Sequence, residues 1–432
     1  MSTDHRHANR FMQQVLQGRT AAELCPLLAP VHDAVALKVP GGRRATNDAV
    51  EQRWQLLAAS PANRDALCDA QTLSQIEHYA NNVENFIGTV KVPVGLAGPL
   101  RVNGLFAKGD FLIPLATTEA SLVASYNRGA HLISEAGGCA AMLLNEGVSR
   151  TPGFIFRNLQ EVGLFVAWIV PQIDSLRAVA ESTTRHGKLT DMRVTIEGNH
   201  VYLHFEYTTG DAAGQNMVTI ATQAICDYIQ THSPILPLSS YVEANLSGDK
   251  KASAQSLMSV RGKKVSAEVS LPEHLIYEYL HTTPREMENY WRMSAIGGVL
   301  SGTTGIQGHY ANGLAALYIA CGQDAACVAE SAVGVTRFEV EEGGNLYASV
   351  TLPNLIVGTV GGGTGLPSQR ACLQIMGLAG DGKARAFAEV CASLALAGEL
   401  SIIGALASGE FTRAHQRLAR THPAHAPKAI RP

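Results

Sequence analysis

The spacing of hydrophobic residues divides the chain into a helical start, a Gly- and Pro-rich stretch, and longer segments of helix and strand. Residues 1–75 show helical spacing, broken by a loop at 41–44, and Asn47 is placed to cap a helix through Trp54. From residue 84 the sequence ENFIG leads into VKVPVGLAGPL. Its glycines and prolines predict extended chain broken by turns.

A strand and a long helix are predicted next. The pattern predicts a strand at Gly109–Leu115, after which Thr117-Thr118-Glu119 would open the helix. Apolar residues then recur at helical spacing on one face: Leu122, Tyr126, Ala130 and Ile133.

Residues 152–240 have the pattern of a separate α+β unit. We expect a strand at Gly163–Val170, a helix near Gln172–Ser182, and a hairpin of 193–196 with 201–207 across Gly198-Asn199. The loop GDAAGQN then opens a helix with one apolar face: Met217, Ile220, Ala224, Ile225, Tyr228 and Ile229. The order strand-helix-strand-strand-helix predicts a ferredoxin-like unit.

These elements predict an α+β fold. A large domain of mixed helix and strand, residues 76–151 and 241–410, would be interrupted by the ferredoxin-like insertion at 152–240. A helical region, residues 1–75, would precede it, and a mobile tail, residues 411–432, would follow it.

Composition narrows the class of protein. Hydrophobic residues make up 46% of the 432 residues and charged residues 16%, which excludes a disordered chain. The net charge of −3 gives no general attraction to nucleic acid or to an acidic membrane, so neither is expected as a partner. The apolar stretch 390–409 holds Glu399 at its middle, which favours a buried helix over a membrane span.

Cysteine use and the chain start point to one compartment. The 8 cysteines form no CxxC pair, and the first residues lack an apolar signal core. We expect reduced thiols in a cytoplasmic protein.

Common cofactor and metal motifs are absent from the sequence. No GxGxxG, GxxxxGK[ST] or HExxH occurs, and no Cys/His set has metal-binding spacing. We expect neither a Rossmann site nor a metal site.

Several charged residues admit both a structural and a chemical interpretation. Glu119 suits an ordinary first-turn acid favoured by the helix dipole. Asp324, in an apolar helix, either makes a hydrogen bond that packs the helix or is a site carboxylate whose pKa matters for the chemistry. Asp249-Lys250-Lys251 either forms a solvated turn or places one of its lysines against a carbonyl oxygen that becomes negative. The Gly-rich stretches 210–216 and 358–369 could each bind an anion through backbone N–H groups.

A resemblance to a known protein family connects these motifs. The segments ENFIG, PVGLAGPL, ATTEASLVASYNRGA, GDAAGQNM, DKK, LYIACGQDAA, GTVGGGTGLPSQ and AGELSI together resemble the hydroxymethylglutaryl-CoA (HMG-CoA) reductase family, from about residue 84 to 415. ATTE and GQDAA are closer to class I of eukaryotes and archaea than to class II. The resemblance implies four catalytic residues: Glu119, Lys250, Asp324 and His415.

The family's reaction implies a role for each of the four. Lys250 would stabilise the oxyanion formed by the first hydride transfer, and a protonated His415 would donate a proton to the CoA thiolate. A neutral Glu119 would supply the proton to the oxygen of the aldehyde intermediate, and a nearby Asp324 would favour that neutral form while pairing with Lys250. We expect Glu119, Lys250 and Asp324 within hydrogen-bond reach of one another.

The resemblance also implies residues that hold the HMG group, with one departure from the family. The substrate-binding set is Arg150, Asn245, Asp249, Lys251, Arg292 (where a lysine is usual) and Asn312. Where class I members have SGN before the DKK loop, this chain has Glu243-Ala244-Asn245. The glutamate adds negative charge near a substrate carboxylate unless it turns away.

For the cofactor, the family pattern implies NADPH. The nucleotide-binding positions are Thr184, Arg185, Asp211, Gly214, Gln215, Asn216, Gly361, Gly362, Gly363 and Thr364. Arg185, with Lys188 nearby, supplies positive charge for a 2′-phosphate, which favours NADPH over NADH.

The family further implies a homodimer or larger assembly with its active site between subunits, and a C-terminal flap that closes over it. HMG-CoA is the implied substrate, converted to mevalonate. Three alternatives stay open: a reductase of another acyl-CoA, a CoA- or nucleotide-binding regulatory protein, and an apolar α/β binding module.

Overall fold

A computed structural model describes residues 4–33, 35–42, 45–57 and 59–409. Packing divides the chain into two units, one of Met1–Ile76 with Val83–Gly88, the other of Glu77–Asn82 with Thr89–Pro432.

The first unit is helical, as its spacing predicts. Its helices are α1 (His5–Leu16), α2 (Ala21–Leu24), α3 (Asn47–Leu56), α4 (Pro61–Leu67) and α5 (Ala70–Ser74), with a 3₁₀ turn at Cys25–Leu28. The capping residue of α3 is Thr46, whose hydroxyl accepts the Ala49 N–H at 3.3 Å, and not Asn47. The buried Arg53 of α3 donates to the Pro40 and Phe86 carbonyls, which ties the helix to two loops.

The second unit has a ten-stranded sheet. One region joins six strands in the order β2-β1-β3-β8-β10-β9: β1 (Val94–Gly104), β2 (Lys108–Ala116), β3 (Cys139–Arg150), β8 (Gly262–Leu271), β9 (Val335–Val340) and β10 (Leu346–Leu355). Only β1 and β3 run parallel among these pairs. The strand predicted at Gly109–Leu115 is β2.

Four further strands form the ferredoxin-like region. They are β4 (Gly153–Ile155), β5 (Lys188–Glu197), β6 (His200–Thr208) and β7 (Ser239–Tyr241), in the order β7-β4-β6-β5. The end of β3, Val148–Arg150, also pairs with β6 and so links both regions of the sheet. Helices α7 (Leu159–Ile169), α8 (Ile173–Ser182) and α9 (Gln215–His232) pack here. The mixed fold class and the predicted hairpin are confirmed.

The strand predicted at Gly163–Val170 is wrong, because all of these residues but the last lie in α7, and Val170 begins the 3₁₀ turn Val170–Gln172. The Asn158 side chain accepts the Glu161 N–H at 3.0 Å and caps the helix. Val162, Phe165 and Ile169 are buried at helical spacing while Leu164 is exposed. The first strand of the ferredoxin-like order is the short β4 instead. Ile220, expected on the inner face of α9, is 60% exposed.

The remaining helices surround the large region of the sheet. They are α6 (Leu122–Glu135), α10 (Gln255–Met258), α11 (Glu273–Leu280), α12 (Pro284–Ser301), α13 (Tyr310–Cys321), α14 (Val328–Ser331), α15 (Pro367–Ile375) and α16 (Ala384–Ala407). As predicted, the apolar stretch around Glu399 is a buried helix, α16. A side chain at Gly129 of α6 would meet the Ala397 carbonyl oxygen at 1.9 Å, so α6 and α16 pack backbone against backbone.

Two fully buried glutamates of α16 bind backbone N–H groups of neighbouring loops and of strand β3. Glu389 accepts the N–H groups of Phe106, Ala107 and Leu143. Glu399 accepts the N–H groups of Gly308 and His309 and the Thr336 hydroxyl. A buried carboxylate costs several kcal/mol unless such donors satisfy it.

Within the described residues, two helical segments are long and apolar enough to cross a membrane, Leu159–Ser182 and Ala384–Ala407. This is weak evidence for a membrane, since the second segment is 83% buried in the protein. The predicted domain boundaries stay predictions, and the tail 411–432 lies outside the described residues.

Candidate active site

Lys250 and Asp324 form an ion pair between two turns. The Lys250 Nζ lies 2.8 Å from the Asp324 Oδ2, and each side chain is nearly half exposed. The Lys250 backbone, at φ +57°, donates its N–H to Glu330 at 3.1 Å. The turn therefore holds its ammonium in a fixed place.

The ion pair shifts the pKa of both partners. The hydrogen bond and charge of Asp324 raise the pKa of Lys250, against a smaller opposing effect of partial burial. For Asp324, burial acts to raise the pKa, but Lys250 and the Ala326 N–H outweigh it and hold that pKa below its usual value. Lys250 stays a cation and Asp324 an anion across the neutral range.

Asp324 does not lie in an apolar helix, and that prediction is wrong. Helix α13 ends before Gly322, whose φ of +68° stops it in the left-handed region. Asp324 then caps the short 3₁₀ turn Ala325–Cys327. The glycine lets the chain leave the helix and present the carboxylate to Lys250.

Glu119 precedes its helix, so the prediction that it lies in the first turn is wrong. Helix α6 begins at Leu122, after Ser121 at φ +71°. The Asn312 Nδ2 donates to both Glu119 carboxylate oxygens, at 2.9 and 3.1 Å. Glu119 and Asn312 line a cavity of about 610 Å³ whose other walls include Arg128, Ile402 and Leu406.

The two halves of the predicted catalytic set lie at opposite ends of α13. Asn312, which holds Glu119, is in the first turn of this 12-residue helix, and Asp324 follows its last turn. A helix of that length spans about 18 Å. Within one chain the structure therefore brings Lys250 to Asp324 and Glu119 to Asn312, but it does not bring the two pairs within hydrogen-bond reach.

A cluster of buried charges supports the Lys250 turn. Asp249 pairs with Arg150 at 3.0 Å and with Arg261 at 2.9 Å. Arg261 in turn pairs with the fully buried Glu330, which binds the Lys250 N–H. Burial raises the pKa of Glu330, although Arg261 opposes that effect. The sequence reasoning missed Arg261 and Glu330. A lone charge in an apolar run, the signal already noted at Glu399, could have identified Glu330, whereas Arg261 stands close to Lys263 and Lys264 and gives no such signal.

Of the other residues predicted to bind substrate, some lie near Lys250 and one does not. Glu243, the departure from the family, binds Arg150 at 3.1 Å. Lys251 is exposed and donates to the Asp249 carbonyl at 2.8 Å. Asn245, at φ +65°, is exposed in the same loop. Arg292 lies on α12 and pairs with Glu288 of that helix at 2.9 Å, so the structure does not place it with this cluster.

The two Gly-rich loops lie against each other. A side chain at Gly358 would meet the Ala213 backbone nitrogen at 2.6 Å, and the Asp211 carbonyl accepts the Thr359 N–H at 2.8 Å. The Asp211 carboxylate accepts the N–H groups of Gly382 and Ala384 at the start of α16. Asp211, which was predicted to bind the nucleotide, thus has a structural role at the start of α16.

The second Gly-rich loop also contacts the Asp324 turn. Gln323 accepts the Gly358 N–H at 2.8 Å, and a side chain at Gly322 would meet the Gly363 carbonyl oxygen at 2.3 Å. Gly361 and Gly362 have positive φ and open space where a side chain would lie. Thr364 donates its hydroxyl to the Gly361 carbonyl. Backbone of this loop is therefore accessible close to Asp324.

The remaining predicted nucleotide residues lie around the start of α9. Gly214, at φ +80°, precedes the helix, Asn216 is exposed, and Gln215 accepts from Arg261 at 2.6 Å. The Thr184 hydroxyl accepts the N–H groups of His186 and Gly187, and Arg185 is exposed. His415 lies outside the described residues.

A fixed ammonium paired with a carboxylate beside accessible Gly-rich backbone is typical of an enzyme that stabilises a developing oxyanion. The family profile of hydroxymethylglutaryl-coenzyme A reductase matches residues 49–420. The chain belongs to this family.

Relatives and solved structures agree with that assignment. The 3-hydroxy-3-methylglutaryl-coenzyme A reductase of Methanocaldococcus jannaschii is 44% identical over 78% of this chain and 85% of its own length. The one from Pyrococcus horikoshii is 44% identical over 80% and 85%. The class II reductase of Streptococcus pneumoniae, solved with NADPH, covers 84% of this chain and 98% of its own at a TM-score of 0.63. Its 19% identity supports the fold alone.

Proposed function

We propose that this protein reduces HMG-CoA to mevalonate and free CoA with two NADPH. The observation that carries the proposal is the Lys250–Asp324 ion pair at 2.8 Å, set beside a Gly-rich loop in a member of this family. The reaction consumes two hydrides and two protons, breaks the C–S bond and leaves a primary alcohol.

Lys250 is the residue that would stabilise the thioester oxygen as it becomes negative. Its ammonium is fixed by Asp324 and by the hydrogen bond from its own N–H to Glu330. A donor that is already in position needs no reorganisation when charge develops, and one such donor is worth about 10²–10³ in kcat.

Glu119 would supply the proton to the aldehyde oxygen, with Asn312 as the group that orients its carboxyl. His415 would protonate the CoA thiolate, as the family resemblance implies. The cavity beside Glu119, lined largely by apolar atoms of α6 and α16, offers water-excluding walls to the thioester end of the substrate.

The placement of the catalytic pairs at opposite ends of α13 supports an active site shared by two copies of the chain. Glu119 and Asn312 of one copy would meet Lys250 and Asp324 of another. An exposed apolar stripe on α12 supports an assembly as well, since monomers rarely expose such patches. The stripe consists of Met293, Ile296, Val299 and Leu300, each between 63% and 83% exposed.

The residues present fit a nicotinamide dinucleotide. Gly361 and Gly362 leave backbone open near Asp324, and the exposed Arg185 and Lys188 supply positive charge for a 2′-phosphate. NADPH supplies the hydrides when it is bound. The chain's own residues orient it and keep Lys250 charged.

We place the enzyme in the cytoplasm. The described cysteines are all free, and every one but Cys25 is buried, which is typical of a reducing compartment.

The test is an absorbance assay with purified full-length chain. We expect NADPH to be consumed on addition of HMG-CoA, with one free thiol for every two NADPH, and NADH to be a poorer donor. Lys250→Met should lower kcat by at least about 100-fold, whereas Lys108→Met, an exposed lysine of β2, should leave it unchanged. Consumption of NADPH without thiol release, or an active Lys250→Met enzyme, would overturn the proposal.

A second candidate is a reductase of another acyl-CoA, favoured by the contact of Glu243 with Arg150. A panel of CoA thioesters decides it, since turnover of another thioester without turnover of HMG-CoA would replace our assignment of the substrate.

A further inference from the structure

The Glu243 carboxylate binds the guanidinium of Arg150, which the family resemblance assigns to the substrate. Its Oε2 accepts from the Arg150 Nη1 at 3.1 Å, and Arg150 is only 8% exposed in its side chain. The same Nη1 also binds Asp249 at 3.0 Å. One nitrogen of Arg150 therefore binds two carboxylates of the protein itself, without substrate.

The charges of the cluster balance only because Glu243 is present. Its members are four cations and four carboxylates: Arg150, Lys250, Lys251 and Arg261, with Glu243, Asp249, Asp324 and Glu330. With an uncharged residue such as serine at 243, the cluster would have one positive charge in excess. In a half-buried site that excess would attract an acyl carboxylate.

We propose that Glu243 is a specificity-determining residue that acts as an internal counter-ion of Arg150. An acyl group with a carboxylate end must displace Glu243 or bind beside it, which weakens its binding. An acyl group with an uncharged end meets no such competition. The inference rests on the proposed function and on the family resemblance, which implies that Arg150 holds the carboxylate of the HMG group.

A purely structural role for Glu243 has to be separated from this one. Its Oε1 accepts the Asn245 N–H at 2.7 Å and its Oε2 accepts the Ser247 hydroxyl at 2.9 Å, so it also braces the loop before Lys250. Glu243→Gln keeps an acceptor oxygen and the side-chain length but removes the charge. Loss of bracing would lower kcat for every substrate, whereas loss of competition changes KM for carboxylate substrates alone.

The experiment compares HMG-CoA with 3-hydroxy-3-methylbutyryl-CoA, which lacks the distal carboxylate, in steady-state kinetics with NADPH. The second thioester is measured by KM or, where it is not turned over, by its competitive inhibition constant. In Glu243→Gln we expect KM for HMG-CoA to fall about tenfold, with kcat and the constant of the uncharged thioester within about twofold of wild type. Glu339→Gln, which removes an exposed partner of Arg337, is the matched control and should change neither constant.

Two results would overturn the inference while the proposed function stands: a KM for HMG-CoA that is unchanged or higher in Glu243→Gln, or an equal fall for both thioesters. A wild-type enzyme inert toward HMG-CoA would instead overturn the proposed function and this inference with it. Glu243→Ser, which introduces the residue that the family resemblance implies at this position, should shift KM in the same direction as Glu243→Gln.

Discussion

At the scale of single residues, the turn around Lys250 places a charge where a helix or strand could not. Lys250 adopts φ +57°, a conformation that costs a non-glycine residue about 1–3 kcal/mol. The buried Glu330, through the Lys250 N–H, and Asp324, through its ammonium, hold the residue there. The strain is thus maintained by two carboxylates, of which Asp324 also keeps the side chain charged.

The same ion pair predicts how activity depends on pH. Because Asp324 raises the pKa of Lys250, the ammonium persists at alkaline pH, and its loss limits activity only above its ordinary pKa. Asp324→Asn removes that support and lowers the pKa of Lys250. We expect the alkaline limb of the kcat/KM profile to move to lower pH in this variant.

The measurement is a kcat/KM profile from neutral to strongly alkaline pH for wild type and Asp324→Asn. Asp110→Asn, which removes an exposed ion pair with Arg101, serves as control and should keep the wild-type limb. An alkaline limb that stays in place in Asp324→Asn would mean that another group titrates there.

At the scale of elements, helix α16 organises the loops around Glu119. Glu399 binds the Gly308 and His309 N–H groups just before α13, and the Tyr126 hydroxyl of α6 donates to the His309 carbonyl. The first turn of α13 follows directly and carries Asn312, whose amide donates to the Glu119 carboxylate. A glutamate far from the reacting atoms thereby fixes the position of the carboxyl that would protonate the product.

Replacing this glutamate should therefore affect stability and catalysis together. Glu399→Gln places an amide NH₂ group among N–H donors, and an unsatisfied buried polar group costs about 1–3 kcal/mol. We expect a fall of that size or more in the free energy of unfolding, measured by urea denaturation, together with a lower kcat. Glu278→Gln, an exposed glutamate of α11, should change neither quantity. Wild-type stability in Glu399→Gln would contradict the role given to the buried carboxylate.

At the scale of the whole molecule, the separation of the two catalytic pairs by α13 predicts that inactive variants rescue each other. Glu119→Gln and Lys250→Met should each be inactive alone. When equal amounts are unfolded and refolded together, half of the dimers contain one chain of each kind, and each of these has one intact site. The mixture should recover about a quarter of wild-type activity.

The control is a mixture of Lys250→Met with Asp324→Asn, two changes in the same half of the site. That mixture should show no recovery beyond the activity of its components. Equal behaviour of both mixtures would place a complete site within each chain and would contradict the shared active site.

Much of the fold could be predicted from spacing and turn residues. The strand β2, the hairpin of β5 and β6, the buried faces of α6 and the core helix α16 follow from patterns within about twenty residues. The prediction was wrong for α7, because an apolar run reads alike as strand or helix and only its packing decides. It was also wrong for the settings of Glu119 and Asp324, since each helix boundary depends on one left-handed residue, Ser121 or Gly322.

The sequence by itself determined the family, the fold class and the types of side chain that the chemistry needs, because these are set by residue identity and local periodicity. The family resemblance already implied the pairing of Lys250 with Asp324, but the tertiary structure alone decided that Glu119 of the same chain meets Asn312 and not these two residues. It also decided that Glu243 binds Arg150. Such contacts join residues that are distant in sequence, and the approach of two charges across a fold depends on how whole elements pack.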